Sequence, residues 1–183
     1  MDKPTCFAIV GCGLIGRKRL EGLPQNSVVA VCDLLPSPAL ESAAKAGPQC
    51  VATTDLDQAL LADPDAVIVA TLNAGLAPVA ASCIRAGKHV LIEKPVATSA
   101  AELDNLEMLA SKHRVLVRPG YNHRYHPAFH KAREIFDSGS LGPLMFIRAR
   151  YKHGGRTGYY REWRADSAQS GAGELIDQRV APE

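Results

Sequence analysis

The sequence has no apolar run long enough to span a bilayer, and its first apolar run is too short for a secretory signal core. It has no Cys-x-x-Cys pair, and its five cysteines (Cys6, Cys12, Cys32, Cys50 and Cys83) are odd in number. A disulfide framework or a thiolate metal site is therefore disfavoured; buried free thiols in a reducing cytoplasm are expected. Excess charge is small: 21 basic against 19 acidic residues, a net +2. That balance suggests neither a nucleic-acid nor a membrane-surface partner. There is no internal repeat and no low-complexity segment. The rest is an ordinary globular balance, 46% apolar and 22% charged. Its 183 residues suffice for one full domain with a sizeable core and a small appendage.

Short apolar runs alternate with helical patterns from residue 5 to about residue 118. Strands are expected at Cys6–Val10, Val28–Cys32, Gln49–Ala52, Ala66–Ala70, His89–Ile92 and Val115–Val117. Helices are expected at Leu14–Leu23, Pro38–Ala46, Leu56–Leu61, Ala77–Ala86 and Ala100–His113. Asp55 and Ser99 are placed to cap two of them, with Glu102 completing a capping box, and Gly87 is a left-handed stop. Strands separated by helices of about 10 residues imply parallel pairing with right-handed crossovers, a doubly wound α/β sheet. Beyond Pro119-Gly120 the pattern changes to a helix (Ala128–Phe136), a turn (Ser138–Pro143), a strand (Leu144–Tyr151), a polar Gly-rich stretch and a last helix near Gly173.

The first strand leads into Gly11-Cys12-Gly13-Leu14-Ile15-Gly16. In a dinucleotide loop the first glycine permits the tight turn, the second lets a pyrophosphate approach the backbone, and the third lets the helix pack closely. The triplet alone is a weak signal. Here it follows a strand, opens a helix, and is followed by Asp33 at the end of strand two, the expected partner of ribose hydroxyls. Asp33 would repel a 2′-phosphate, and Leu34 and Leu35 offer no compensating cation, so NAD is favoured over NADP. Arg17, Lys18 and Arg19 could reach phosphate, but at least two of them are expected on a solvated helix face. Thr71-Leu72-Asn73 follows strand four and either lines the nicotinamide crevice, caps a helix, or does both.

Glu93-Lys94-Pro95 ends strand five at the same sheet edge. A lysine there can hold a substrate hydroxyl and help remove its proton as hydride leaves the carbon. Against that stands the usual fate of lysines, which is exposure. Asn122, His123 and Arg124 belong to a polar-aromatic cluster suited to a polyhydroxylated substrate. His123 and His126 have no carboxylate or cysteine beside them in sequence, and no metal is expected. Trp163, followed by Arg164, either stacks on a sugar face or anchors its loop.

Together these residues resemble the Gfo/Idh/MocA family of sugar and cyclitol oxidoreductases. The resemblance rests on Gly11–Gly16, Asp33, Ala86-Gly87-Lys88-His89-Val90, Glu93-Lys94-Pro95, Tyr121-Asn122-His123-Arg124, Trp163-Arg164 and Gly171-Ala172-Gly173-Glu174-Leu175-Ile176-Asp177-Gln178, in the family's order over nearly the whole chain. It implies a Rossmann domain (1–120), followed by the start of a shortened C-terminal substrate and oligomerisation domain (121–183). It also implies NAD(P)-dependent oxidation of a sugar or cyclitol hydroxyl, with a homo-oligomer possible through the second domain's open sheet. Glu93 and Lys94 would join the cofactor-binding set of Gly11, Cys12, Gly13, Leu14, Ile15, Gly16, Asp33, Thr71, Leu72 and Asn73. Lys94 and Asp177 would be the catalytic pair.

The family pattern continues with a glycine after Gln178 and a proton-accepting histidine four residues after Asp177. Arg179 and Ala181 stand there instead. The expectation is a chain that binds cofactor and turns over poorly. The rival readings are a non-catalytic dinucleotide-binding module, including a decayed enzyme, and a methyltransferase with a similar Gly loop. Glu93-Lys94-Pro95 argues against the last.

Overall fold

A computed structural model describes residues 4–148, 158, 161, 163 and 166–170. Six strands alternate with helices: β1 (Phe7–Val10), α1 (Leu14–Glu21), β2 (Val28–Cys32), α2 (Pro36–Ala46), β3 (Val51–Thr53), α3 (Leu56–Leu61), β4 (Ala66–Val69), α4 (Asn73–Arg85), β5 (His89–Ile92), α5 (Ala100–His113) and β6 (Val117–Pro119). A 3-10 turn (Asn122–Tyr125), α6 (Pro127–Asp137) and a short α7 (Ser167–Ser170) follow. All strand pairs are parallel, in the order β3-β2-β1-β4-β5-β6. The expected doubly wound Rossmann sheet is what forms. The chain winds outward from β1 through β2 and β3, then returns to place β4 on the other flank of β1. The carboxyl ends of β1 and β4 therefore flank the switch point, where such sheets open a crevice.

The two-residue period of the strands divides the core between the two faces. Ala8 and Val10 of β1, with Val67 and Val69 of β4, pack beneath α3, α4 and α5 through Ala59, Leu76, Ala80, Ile84, Leu106 and Leu109. Ile9, Val31 and Ile68 point the other way and pack against Ala43 and Ala46 of α2 and Leu20 of α1. Strands covered on both faces explain the unbroken apolar runs of β1 and β4.

Several elements start or stop where local hydrogen bonds decide. Gly47, at φ +130, and the Cys50 N–H donating to Gly47 O at 3.1 Å form a turn that delays β3 to Val51. Helix α2 begins at Pro36, since proline suits the first helical turn. Helix α4 begins four residues before its expected start and contains Pro78, whose nitrogen cannot donate to the carbonyl of Ala74. Arg114 takes the left-handed conformation, and the Val115 N–H donates back to Ala110 O at 3.1 Å. Val115 is thereby part of the exit from α5, and β6 starts at Val117. Gly87 stops α4 at φ +74, with the Lys88 N–H donating to Cys83 O at 3.1 Å, the left-handed cap expected there.

Two expectations change. The Glu102 carboxylate accepts from the Thr98 N–H at 2.7 Å, one residue before the Ser99 cap, so the capping box is offset. The strand expected from Leu144 does not form over residues 144–148. A strand needs a neighbouring backbone to pair with, and none of the described residues offers one; Leu144, Met145, Phe146 and Ile147 are all exposed. The expected helix near Gly173 lies outside the described residues. Among the described residues no helix is long and apolar enough to cross a membrane.

Candidate functional site

The glycines of the first loop have three different environments. Gly11 ends β1 at φ +94, and a Cβ there would lie 2.5 Å from Ala70 O. The β1 loop thus lies flush against the end of β4, which only glycine allows. Gly16 is buried in α1, where a Cβ would run into Gly11 O and sit 3.5 Å from Ile9 Cγ2. Gly13 has no packing requirement: a Cβ would meet nothing within 4 Å. It is the N-cap of α1, and no side chain caps that helix. Free amides and the positive end of the helix dipole therefore face open space beside Gly13, a cradle for an anion that an added methyl would begin to fill. Leu14 and Ile15 flank this cradle and are exposed.

Asp33 stands at the carboxyl end of β2. Its Oδ2 accepts from the Cys12 N–H at 2.7 Å and its Oδ1 from the Leu35 N–H at 3.0 Å. Both carboxylate oxygens are oriented by the backbone, and each keeps a further lone pair for a ligand hydroxyl. Leu34, 92% exposed, extends past it. Cys12 itself is buried, and burial is the main reason its thiol is pushed up from the ordinary 9.0. Burial likewise pushes Cys32 and Cys50 up to about 11 and Cys83 up to about 12. All five cysteines are free thiols, and these four are poor nucleophiles.

Across the switch point, the Ala70 N–H donates to Val10 O at 2.7 Å and ties the end of β4 to β1. Thr71 is half-buried and Leu72, the N-cap of α4, is exposed. Asn73 is buried, and its Nδ2 donates to Ser170 O at 3.0 Å. The side chain expected in the crevice is therefore engaged with α7.

Glu93, Lys94, Pro95 and Val96 make a turn at the end of β5. The Glu93 N–H donates to Val69 O and the Val96 N–H to Glu93 O, both at 2.9 Å, and the Lys94–Pro95 peptide is cis. Lys94 is half-buried within that turn. The Glu93 carboxylate is buried and is met by Arg19 of α1, whose Nε donates to Oε1 at 2.5 Å while Nη2 pairs with the same oxygen. Of the three basic residues of α1, Lys18 is exposed, Arg17 is half-buried, and Arg19 belongs to the site's frame. Sequence reasoning missed this role, although a signal existed. Arg19 is three residues from Gly16 and shares its sheet-facing side.

Asn122, His123 and Arg124 lie on the exposed 3-10 turn just beyond β6. The ring of His123 stacks on Phe129 at 6.4 Å between centroids. His126 caps α6, its Nδ1 accepting from the Ala128 N–H at 3.2 Å. Trp163 is half-buried. Arg164 and Asp177 lie outside the described residues.

Residues 6–121 match a family model, Gfo/Idh/MocA, described as an oxidoreductase family with an NAD-binding Rossmann fold. Inositol 2-dehydrogenase 2 of Saccharopolyspora erythraea is 32% identical over 154 residues, covering 81% of this chain and 45% of the relative. A dTDP-3,4-didehydro-2,6-dideoxy-alpha-D-glucose 3-reductase of Streptomyces violaceoruber is 30% identical over 181 residues, covering 96% of this chain and 52% of the relative. Among solved structures, GenD2 from gentamicin A biosynthesis, in complex with NAD, superposes with a TM-score of 0.77 at 28% identity, covering 97% of this chain and 51% of that one. The chain thus spans about half the length of these relatives.

Proposed function

The chain belongs to the Gfo/Idh/MocA oxidoreductase family, and from that premise we propose that it serves NAD-dependent hydride transfer at a hydroxyl-bearing carbon of a sugar or cyclitol. The observation that carries the reading is the half-buried Lys94, held in a pinned turn at the sheet edge that also bears the Gly13 cradle and Asp33. The cofactor, when bound, supplies the hydride acceptor or donor. The amides at the start of α1 would hold its pyrophosphate, with Leu14 and Ile15 flanking it, and the oriented Asp33 carboxylate would accept from ribose hydroxyls. The negative charge of Asp33 and the lack of a cation at Leu34 and Leu35 favour NAD over NADP.

Lys94 would hold the substrate hydroxyl and lower the cost of its losing a proton as hydride departs. Asp177 would be its acidic partner. Ala181 offers no proton-accepting group, so proton handling would rest on those two side chains and turnover would be slow. Asn122, His123 and Arg124, just beyond β6, would bind substrate hydroxyls together with Trp163 and Arg164. In this reading residues 1–120 are the cofactor domain and 121–183 begin a substrate domain. The five free thiols suit a cytoplasmic setting.

The test is titration of the chain with NAD, followed by incubation with a panel of inositols and sugars while reduced nicotinamide is monitored. NAD binding together with slow, substrate-dependent reduction supports the proposal. Binding without reduction by any polyol would favour a non-catalytic dinucleotide module. No binding would remove the cofactor reading itself.

A further inference from the structure

We propose that Arg19 is a positioning residue for Lys94, acting through Glu93; the inference rests on the cofactor reading above. The side chain of Glu93 is only 10% exposed and that of Arg19 30% exposed. Two guanidinium nitrogens of Arg19 converge on Glu93 Oε1, a fork that a lysine ammonium cannot reproduce. From the other side, Gly120 closes on the same carboxylate: a Cβ there would lie 3.0 to 3.1 Å from its atoms. Glu93 is thus clamped between α1 and the residue that follows β6.

The clamped residue opens the turn that carries Lys94. That turn is held against local preference, because Val96, β-branched and buried, has φ +78. Such a conformation persists only where surrounding contacts over-determine it. The backbone bonds at Glu93 and Val96 fix the two ends of the turn, and the Arg19 ion pair adds a link to a distant element. That element is α1, whose first turn forms the anion cradle. The pair therefore spans β1 and β4 and joins the element facing the pyrophosphate to the turn facing the nicotinamide. Through it the two halves of one dinucleotide would be held in register.

The experiment compares NADH with ADP-ribose, which lacks the nicotinamide, by calorimetric titration of the whole chain. The variants are Arg19→Met, Arg19→Lys, Gly120→Ala and the double variant Arg19→Met/Glu93→Gln. ADP-ribose affinity should stay within about twofold throughout, and NADH affinity should fall about tenfold in Arg19→Met, the scale of one hydrogen bond to a charged group. Arg19→Lys should recover little of it, and Gly120→Ala should lower the same ratio by crowding Glu93. Arg19→Met leaves a buried carboxylate without its partner and could unfold the chain. The double variant removes that charge, so it should melt closer to the unaltered protein while keeping the depressed NADH preference. Equal losses for both ligands would make Arg19 merely structural and overturn the proposal. So would unchanged NADH preference in folded variants, or equal affinity of the unaltered chain for the two ligands. If the unaltered chain binds neither, the cofactor reading fails and the proposal with it.

Discussion

The loop after β1 allows fold and function to be separated by one methyl group moved along three glycines. Gly11→Ala places a Cβ 2.5 Å from Ala70 O at a backbone φ of +94. The left-handed conformation costs about 1–2 kcal/mol for a non-glycine residue. The clash is with backbone, which cannot swing aside, and overpacking adds about 1–3 kcal/mol. A loss of about 2–5 kcal/mol corresponds to a melting temperature lower by roughly 5–20 °C for a chain of this size. Gly16→Ala should be at least as damaging, because its Cβ runs into Gly11 O. Gly13→Ala meets nothing within 4 Å and has φ −70, so it should lose only the preference of an N-cap for glycine over alanine, about 1 kcal/mol or roughly 2–4 °C of melting temperature. Its methyl nevertheless enters the cradle at the start of α1, and NAD affinity measured by calorimetry should fall about tenfold or more, the worth of one or two lost charge-assisted bonds. Scanning calorimetry and NAD titration of the three variants decide the matter. Unchanged NAD affinity in a folded Gly13→Ala chain would refute the placement of the pyrophosphate. A Gly11→Ala chain as stable as the parent would refute the packing argument.

Asp33→Asn keeps an acceptor oxygen but loses the charge; NAD affinity should fall about tenfold and the preference over NADP should narrow, as competitive titration would show. Lys94→Met should lower hydride transfer by about 10²–10⁴, measured in single turnovers at saturating NADH. Ser99, whose hydroxyl accepts from the Glu102 N–H at 3.3 Å, caps α5; Ser99→Ala should cost about 1 kcal/mol, or roughly 2–4 °C of melting temperature. The thiols should give an alkaline signature. Cys83 is raised by burial from 9.0 to about 12, so between those values the unfolded chain releases a proton that the folded chain retains. Its contribution is complete below pH 9 and lost as pH rises toward 12. The melting temperature should therefore fall less steeply over that range in Cys83→Ala than in the parent, in the presence of reductant.

Much of the architecture was legible because its signals are local. The run Ala66–Val69, the stop at Gly87 and the cap at Ser99 each depend on residues within one turn or strand, and β5, α3 and α5 begin and end where they were expected. The starts of β3 and β6 were displaced by two residues because backbone bonds at Gly47 and Arg114 outrank the apolar pattern. What periodicity could not show was pairing across distance. Arg19 and Glu93 are 74 residues apart; the spacing from Gly16 puts Arg19 on the sheet-facing side of α1, but nothing near either names the other as its partner. Asn73 and Ser170, 97 residues apart, are equally silent. The strand expected at Leu144 failed for the complementary reason: β-propensity describes a residue's fit to a sheet and does not supply the sheet.

Hydride transfer assisted by Lys94 would leave an isotopic trace even at slow turnover, because labelled product accumulates. The chain is incubated with NADH deuterated at the transferring carbon and with keto-sugars or keto-cyclitols, and the products are weighed by mass spectrometry. Deuterium is expected on the new carbinol carbon of at least one substrate, and none above background with Lys94→Met. Absence of label from every substrate while NADH is demonstrably bound, or equal labelling by Lys94→Met, would contradict it.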